Sequence, residues 1–355
     1  MTPAQDELQR KNQWASDWMH QGIDLLPESS AEALERAVRC FDQAIALRRA
    51  FPLAENPFLR YGLSAGWVNR GDALARLERK GARAEAIQSY DTALALLQSL
   101  PLEENPLYPR RLAIAWINRG IALQKAPSAS GADAAAVCFR SALAVLAHPS
   151  AAAVADTLSL QAGAWLNLAG TLPPAEALLA AQKALALAEP SEQIEPSLAE
   201  AAFKARHLLC RLVIRDIADK KPLSPQLRSE AAQAAETALR SARYWKHQPR
   251  LDVEAMTAMI REIFRFGCRL HGEGTPGNLD RFLRAAFDAE ESSSALPLDS
   301  ETFAAAQAAI WSLLGHLQSG GFPAAGTPDF ESFLSAIQEL KRTEKRLEAR
   351  LGITP

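Results

Sequence analysis

The sequence predicts an all-α chain built as a stack of helix pairs. Three observations carry this. Four tryptophans, Trp18, Trp67, Trp116 and Trp165, stand 49 residues apart. The text around them repeats: Trp67-Val-Asn-Arg-Gly71 returns as Trp116-Ile-Asn-Arg-Gly120 and, loosened, as Trp165-Leu-Asn-Leu-Ala169. No long run alternates with period two, so strands are not expected, and apolar residues recur instead along single helical faces. A fixed period of this size denotes supersecondary units that bury their faces against their neighbours. With 48% of the chain apolar, there is material enough for such a core.

The elements follow in order. In the first pair, the second helix is carried by Ala37, Val38, Phe41, Ala44, Ile45 and Leu47. In the second pair, the first helix is predicted over 57–77. Asn56 can accept an orphan N–H at its start, and Pro57 takes the first position, where no donor is needed. The second helix is predicted over 83–100, with Ala86, Ile87, Tyr90, Ala93, Leu94 and Leu97 on one face and Pro101 as its stop. The third pair copies this, with Asn105 and Pro106 at its start and Ala135, Ala136, Phe139, Ala142, Leu143 and Leu146 as its face. The fourth is shorter between its helices, and its second helix is predicted over 175–188. Beyond it the helical rhythm continues without the tryptophan signature, over 198–218, 225–245, 251–270, 279–289, 302–317 and 328–351. The last of these sets Phe333, Ile337, Leu340, Leu347 and Leu351 against Lys341, Arg342, Lys345, Arg346 and Arg350, the pattern of a cap with a polar outer face. The expected organisation is four repeats over 1–195, divergent helical repeats with basic stripes over 196–290, and capping helices over 291–355.

The repeat resembles the tetratricopeptide repeat. In that family Trp is followed four residues later by Gly or Ala and then by a large residue, and the second helix carries Ala, an aromatic and Ala at fixed offsets. Trp67, Gly71, Leu74, Ala86, Tyr90 and Ala93 meet this pattern, and Trp116, Gly120, Leu123, Ala135, Phe139 and Ala142 meet it again. The resemblance covers about residues 10–190. It implies a right-handed α-solenoid whose first helices line a concave surface. Two departures stand out. The family's usual Leu before the Gly is Arg70 and Arg119 here, and only Leu168 conforms. The period is 49 residues, against about 34 in the family. A long second helix followed by the linker Leu100-Pro-Leu-Glu-Glu-Asn-Pro106 is similar to the repeats of kinesin light chain.

The candidate binding residues are Asn69, Asn118 and Asn167, each two positions after a repeat tryptophan, with His20 in that place in the first pair. Two positions are about 200° around a helix, so these side chains point away from the packed Trp and Gly. The resemblance implies that they reach the concave surface, with Arg70 and Arg119 beside them. A primary amide both donates and accepts, so a ladder of asparagines suits an extended peptide backbone. The competing reading is ordinary solvated side chains, or amides satisfied by a neighbouring helix. On the ladder reading, Asn118→Ala weakens peptide binding and leaves the melting temperature unchanged.

A net charge of −2 argues against a general nucleic-acid binder. Its distribution is uneven: acids exceed bases by three in 1–199, bases exceed acids by five in 200–289, and acids exceed bases by four in 290–355. Arg261, Arg265 and Arg269 lie at i, i+4 and i+8, Lys204, Arg211 and Arg215 form a second stripe, and Arg240, Arg243, Lys246 and Arg250 a third. Such stripes suit an acidic protein surface, a filament or an anionic membrane. The competing reading is a solvated face paired with Glu230, Glu236, Glu254 and Glu262.

Other signals point to packing. Cys40 and Cys138 share a repeat position with Ser89, which reads as a small buried site, and Cys210 and Cys268 form no CxxC either. Gly272, Gly274 and Gly277 spell GxGxxG, but they follow a predicted helix, so an inter-helix loop is expected rather than a dinucleotide site. The six histidines show no metal-ligand spacing, and no nucleophile, P-loop or EF-hand motif occurs. The expectation is a non-enzymatic scaffold or adaptor for a protein or peptide, with no metal, cofactor, nucleic-acid or small-molecule partner. The polar, acidic N-terminus lacks a signal-peptide core and no stretch suits a membrane span, so a cytoplasmic location is expected. Two alternatives stand beside it: the resemblance to kinesin light chain implies an adaptor linking tubulin-like filaments to a membrane, and the opposed charges of the basic 200–289 region and the acidic repeats would suit a self-assembling structural scaffold.

Overall fold

The computed structural model describes residues 3–54, 56–125, 131–218, 224–245, 253–272, 275–287, 299–320 and 328–352. Among them every regular element is helical. Contacts divide the chain into two compact units, Met1–Ala201 and Ala202–Pro355.

The first unit contains four helix pairs: α1 (Pro3–Leu25) with α2 (Ala31–Arg49), α3 (Pro57–Arg76) with α4 (Ala82–Gln98), α5 (Leu107–Gln124) with α6 (Gly131–Leu146), and α7 (Thr157–Ala169) with α8 (Pro174–Ala188). Each helix packs on its chain neighbour, and α3 touches α5 as α5 touches α7, so the first helices of successive pairs form one layer. Local chemistry sets the boundaries. Ser30 accepts from the Ala33 N–H at 3.1 Å ahead of α2, and Asn56 accepts from Phe58 at 2.9 Å and Leu59 at 3.3 Å ahead of α3. Asn105 accepts from Leu107 at 2.9 Å ahead of α5, so Pro106 precedes that helix. Gly81, at φ 85°, makes the turn into α4 that a side chain would strain.

One contact recurs inside the pairs. A Cβ on Gly71 would lie 2.5 Å from the ring of Tyr90, on Gly120 2.6 Å from Phe139, and on Gly22 2.5 Å from Phe41. The glycine lets the second helix bring a whole aromatic ring against the first, and all three rings are buried. Burial of each such ring contributes on the order of 2 kcal/mol. Around them Ala86, Ala93, Leu94 and Leu97, and Ala135, Ala136, Ala142 and Leu146, are buried as their spacing predicts. The tryptophans sit at the margin: Trp67 and Trp116 pack, partly buried, against Val68, Leu97, Tyr108 and Leu112.

The second unit takes in α9 (Pro196–Ala218) from Ala202 onward, and α10 (Pro225–Trp245), α11 (Val253–His271), α12 (Pro276–Phe287), α13 (Ser300–Gly320) and α14 (Pro328–Arg350). The glycine–aromatic contact returns here, because Phe282 of α12 lies where a Cβ on Gly267 of α11 would be. Of the GxGxxG glycines, Gly272 follows α11, Gly277 falls in the first turn of α12, where the sequence reading expected a loop, and Gly274 lies outside the described residues. The last helix, α14, packs on α12 and α13 through Leu340 and Leu347, and Thr343 donates to Asp280 at 2.6 Å. No helix among the described residues is long and apolar enough to cross a membrane.

Candidate partner-binding face

The three repeat asparagines have different surroundings. Asn118 of α5 donates from Nδ2 to Oδ1 of Asp72 on α3 at 2.7 Å, and the Tyr90 hydroxyl donates to the same oxygen at 2.7 Å. Burial raises the Asp72 carboxyl above its usual range, against the lowering effect of these two hydrogen bonds. Asn118 is thereby committed to holding two pairs together. Asn69 and Asn167 are half-buried and make no side-chain hydrogen bond among the described residues. The reason is legible: the residues equivalent to Asp72 in the preceding and following repeats are Ile23 and Ile121. His20 is exposed on α1.

Arg70 and Arg119 form a second repeating contact. Arg70 Nε donates to Asp42 of the preceding pair at 2.7 Å, and its Nη1 to Ser89 of its own pair at 2.8 Å. One repeat later, Arg119 Nε donates to Asp91 at 2.6 Å and its Nη1 to the Cys138 sulfur at 3.1 Å. Each arginine, on the first helix of its pair, therefore bridges the second helix of its own pair and the second helix of the pair before it. The small Cys/Ser position serves this crossing. Burial pushes the thiols of Cys40, Cys138, Cys210 and Cys268 up, so none is held as a thiolate.

A third cluster breaks the repeat. Arg48, at the end of α2, donates to the Gly62 carbonyl at 2.5 Å, and its guanidinium carbon lies 3.7 Å from where a Gly62 Cβ would be. Arg111 of α5 stacks on the Tyr61 ring at 3.8 Å and donates to the Tyr61 carbonyl at 3.2 Å. Tyr61 in turn meets Tyr108 with ring centroids 5.2 Å apart. Arg110, next in chain, is satisfied by Asp156, with Nε to Oδ1 at 2.9 Å. Arg48 and Arg111 have no carboxylate partner among the described residues, and burial pulls both below the usual arginine range. Arg48 also has a buried Nε without an acceptor. Arg111 and Asn118 lie two turns apart on one face of α5, as Gly62 and Asn69 do on α3. Arg48 at the end of α2 and Arg111 of α5 thus bring two cations without carboxylate partners to the Tyr61–Gly62 turn of α3, and Asn69 lies two turns further along α3.

Sequence periodicity does not find this cluster. The residue one repeat after Arg48 is Leu97, and the residue one repeat before Arg111 is Gly62. The usable signal is the departure itself, an arginine where the aligned positions are apolar or empty.

In the second unit the basic stripes are compensated in part. Arg261 meets Asp299 at 2.6 Å and Glu301 at 2.9 Å, and Arg265 also pairs with Glu301. Asp299 caps α13 through the Thr302 N–H at 2.9 Å, which with Arg261 holds its carboxyl below the usual range. Arg211, Arg215 and Arg269 are exposed. Arg240 pairs with Glu236 at 2.5 Å, while Lys246, Arg250 and the side chain of Arg243 lie outside the described residues. No group of three or more His, Cys, Asp or Glu side chains among the described residues is placed to hold a metal.

Compared with known protein families and curated proteins, the chain matches no family model and no curated protein.

Proposed function

We propose that the first unit is a non-enzymatic interaction scaffold of the tetratricopeptide-repeat kind, and that its first-helix layer holds an extended, acidic segment of a partner protein. The single observation that carries this reading is the Arg48–Tyr61–Arg111 cluster. Two half-buried guanidiniums whose hydrogen bonds go only to backbone carbonyls incur a desolvation cost that a bound carboxylate offsets. Asn69 on α3 and Asn167 on α7, one first helix to either side of α5, supply amide contacts that fix an extended backbone. The Trp, Gly and aromatic positions, together with the contacts along α3, α5 and α7, support the repeat kinship.

Selection from a random-peptide display library tests the proposal. Acidic peptides should be enriched on the intact protein, and the enrichment should vanish with Arg111→Gln and weaken with Asn69→Ala in proteins of unchanged circular dichroism. Peptides without acidic bias, or binding indifferent to both changes, would remove it. The filament-and-membrane reading has less to stand on, because Arg261 and Arg265 already face acidic partners, leaving Arg211, Arg215 and Arg269 as its exposed charges.

A further inference from the structure

The repeat identifies a surface that one pair leaves open. In the second and third pairs, the face carrying the repeat tryptophan receives the preceding pair. Arg49 of α2 lies over Trp67 at 4.9 Å, Asp42 meets Arg70, and Leu34 packs against Leu74, Leu77, Ala82 and Ala86. The equivalent face of the first pair lies between α1 and α2 and borders a groove of about 870 Å³. Trp18 is 36% exposed there, and Trp14, one turn earlier on the same face of α1, is 55% exposed.

A helix-pair face that meets only water needs to be polar. Two adjacent exposed tryptophans do not suit that, and they are the side chains that most often anchor contacts between proteins. The charges around them are self-complementary. Asp24 lies in the last turn of the first helix, Glu28 in the 3-10 turn that follows it, and Arg36 and Arg39 on the second helix; all four are exposed and line the groove, and none forms an ion pair among the described residues. Two negative and two positive charges on one patch match a second copy of that patch turned about a two-fold axis.

We propose that this face joins two copies of the chain, with Trp14 and Trp18 of each at the centre and the Asp24–Glu28 row of one copy against the Arg36–Arg39 row of the other. The occupant then performs for the first pair what α2 performs for the second.

Sedimentation equilibrium on the full chain tests this with two charge sets, Asp24→Lys with Glu28→Lys, and Arg36→Glu with Arg39→Glu. All four positions are exposed, and circular dichroism verifies that the fold is retained. The wild type is expected to dimerise, each set alone to weaken dimerisation roughly tenfold or more, and an equimolar mixture of the two sets to recover it as a heterodimer. A wild type that stays monomeric up to its solubility limit overturns the proposal. So does a dimer that both sets leave intact, or a mixture that fails to recombine.

Discussion

Asn118 and Asp72 are joined at 2.7 Å across two helix pairs, and Tyr90 binds the same carboxylate oxygen at 2.7 Å. One half-buried acid therefore ties α5 to both helices of the pair before it. Asn118→Ala removes a donor from that acid and should lower stability by roughly 1–3 kcal/mol. Asn69→Ala, with no internal hydrogen bond to lose, should change it by less than about 0.5 kcal/mol. Urea unfolding of both variants measures this. The structure thus reverses the sequence-based expectation that Asn118→Ala spares the melting temperature, because the amide already has a partner.

The same acid has a pH signature. Burial raises the folded carboxyl of Asp72 above its unfolded value. Between the ordinary aspartate pKa and that raised value the folded chain binds more protons than the unfolded one, so this group reduces stability as pH rises through the window. Asp72→Asn keeps an oxygen for Tyr90 and Asn118 and should abolish that component. Stability followed from mildly acidic to neutral pH should fall less steeply in the variant than in the wild type.

The glycine–aromatic contacts predict a contrast between two substitutions of one kind. Gly120→Ala drives a methyl into Phe139 and should cost about 1–3 kcal/mol or more, part of it recovered by adding Phe139→Leu. Gly163, inside α7, has nothing within 4 Å of its would-be Cβ. Gly163→Ala should stabilise by roughly 1 kcal/mol through helix propensity alone. Thermal unfolding of the three proteins decides it.

His271 gives the second unit an acid sensitivity. Burial, against the Phe282 ring at 4.9 Å, brings its pKa down to about 4. The folded imidazole stays neutral where the unfolded one is charged, so stability is full above the ordinary histidine pKa and is lost as pH falls from there towards 4. The loss is on the order of 3 kcal/mol. His271→Leu, which also removes a buried Nε2 without a partner, should flatten that decline in pH-dependent unfolding.

Much of the fold was legible because its rules are local and periodic. Helix α10 begins and ends where Pro225 and the apolar spacing place it, and α3 begins at Asn56–Pro57 as cap chemistry dictates. The repeat signature was legible only where its spacing held. Gly22, Gly71 and Gly120 each precede their aromatic by 19 residues, whereas Gly267 precedes Phe282 by 15, and the shortened turn hid the same contact in the second unit. The candidate face was half legible. Asn69, Asn118 and Asn167 announce themselves by register, but which amide is engaged depends on whether an aspartate or an isoleucine lies across the layer. Arg70 and Arg119 break the family pattern in sequence, and their use appears only once Asp42 and Asp91 are in place. Arg48 and Arg111 lie 63 positions apart and share no period, so only the packing of α2, α3 and α5 brings them to Tyr61.

The most direct test of the scaffold reading is amide hydrogen exchange on the protein with and without an acidic peptide taken from the display selection. Slowed exchange should be confined to α3, α5 and α7, strongest beside Tyr61 and Arg111, and absent in Arg111→Gln. Protection falling on α4 and α6, or unchanged in Arg111→Gln, would contradict a binding site on the first-helix layer.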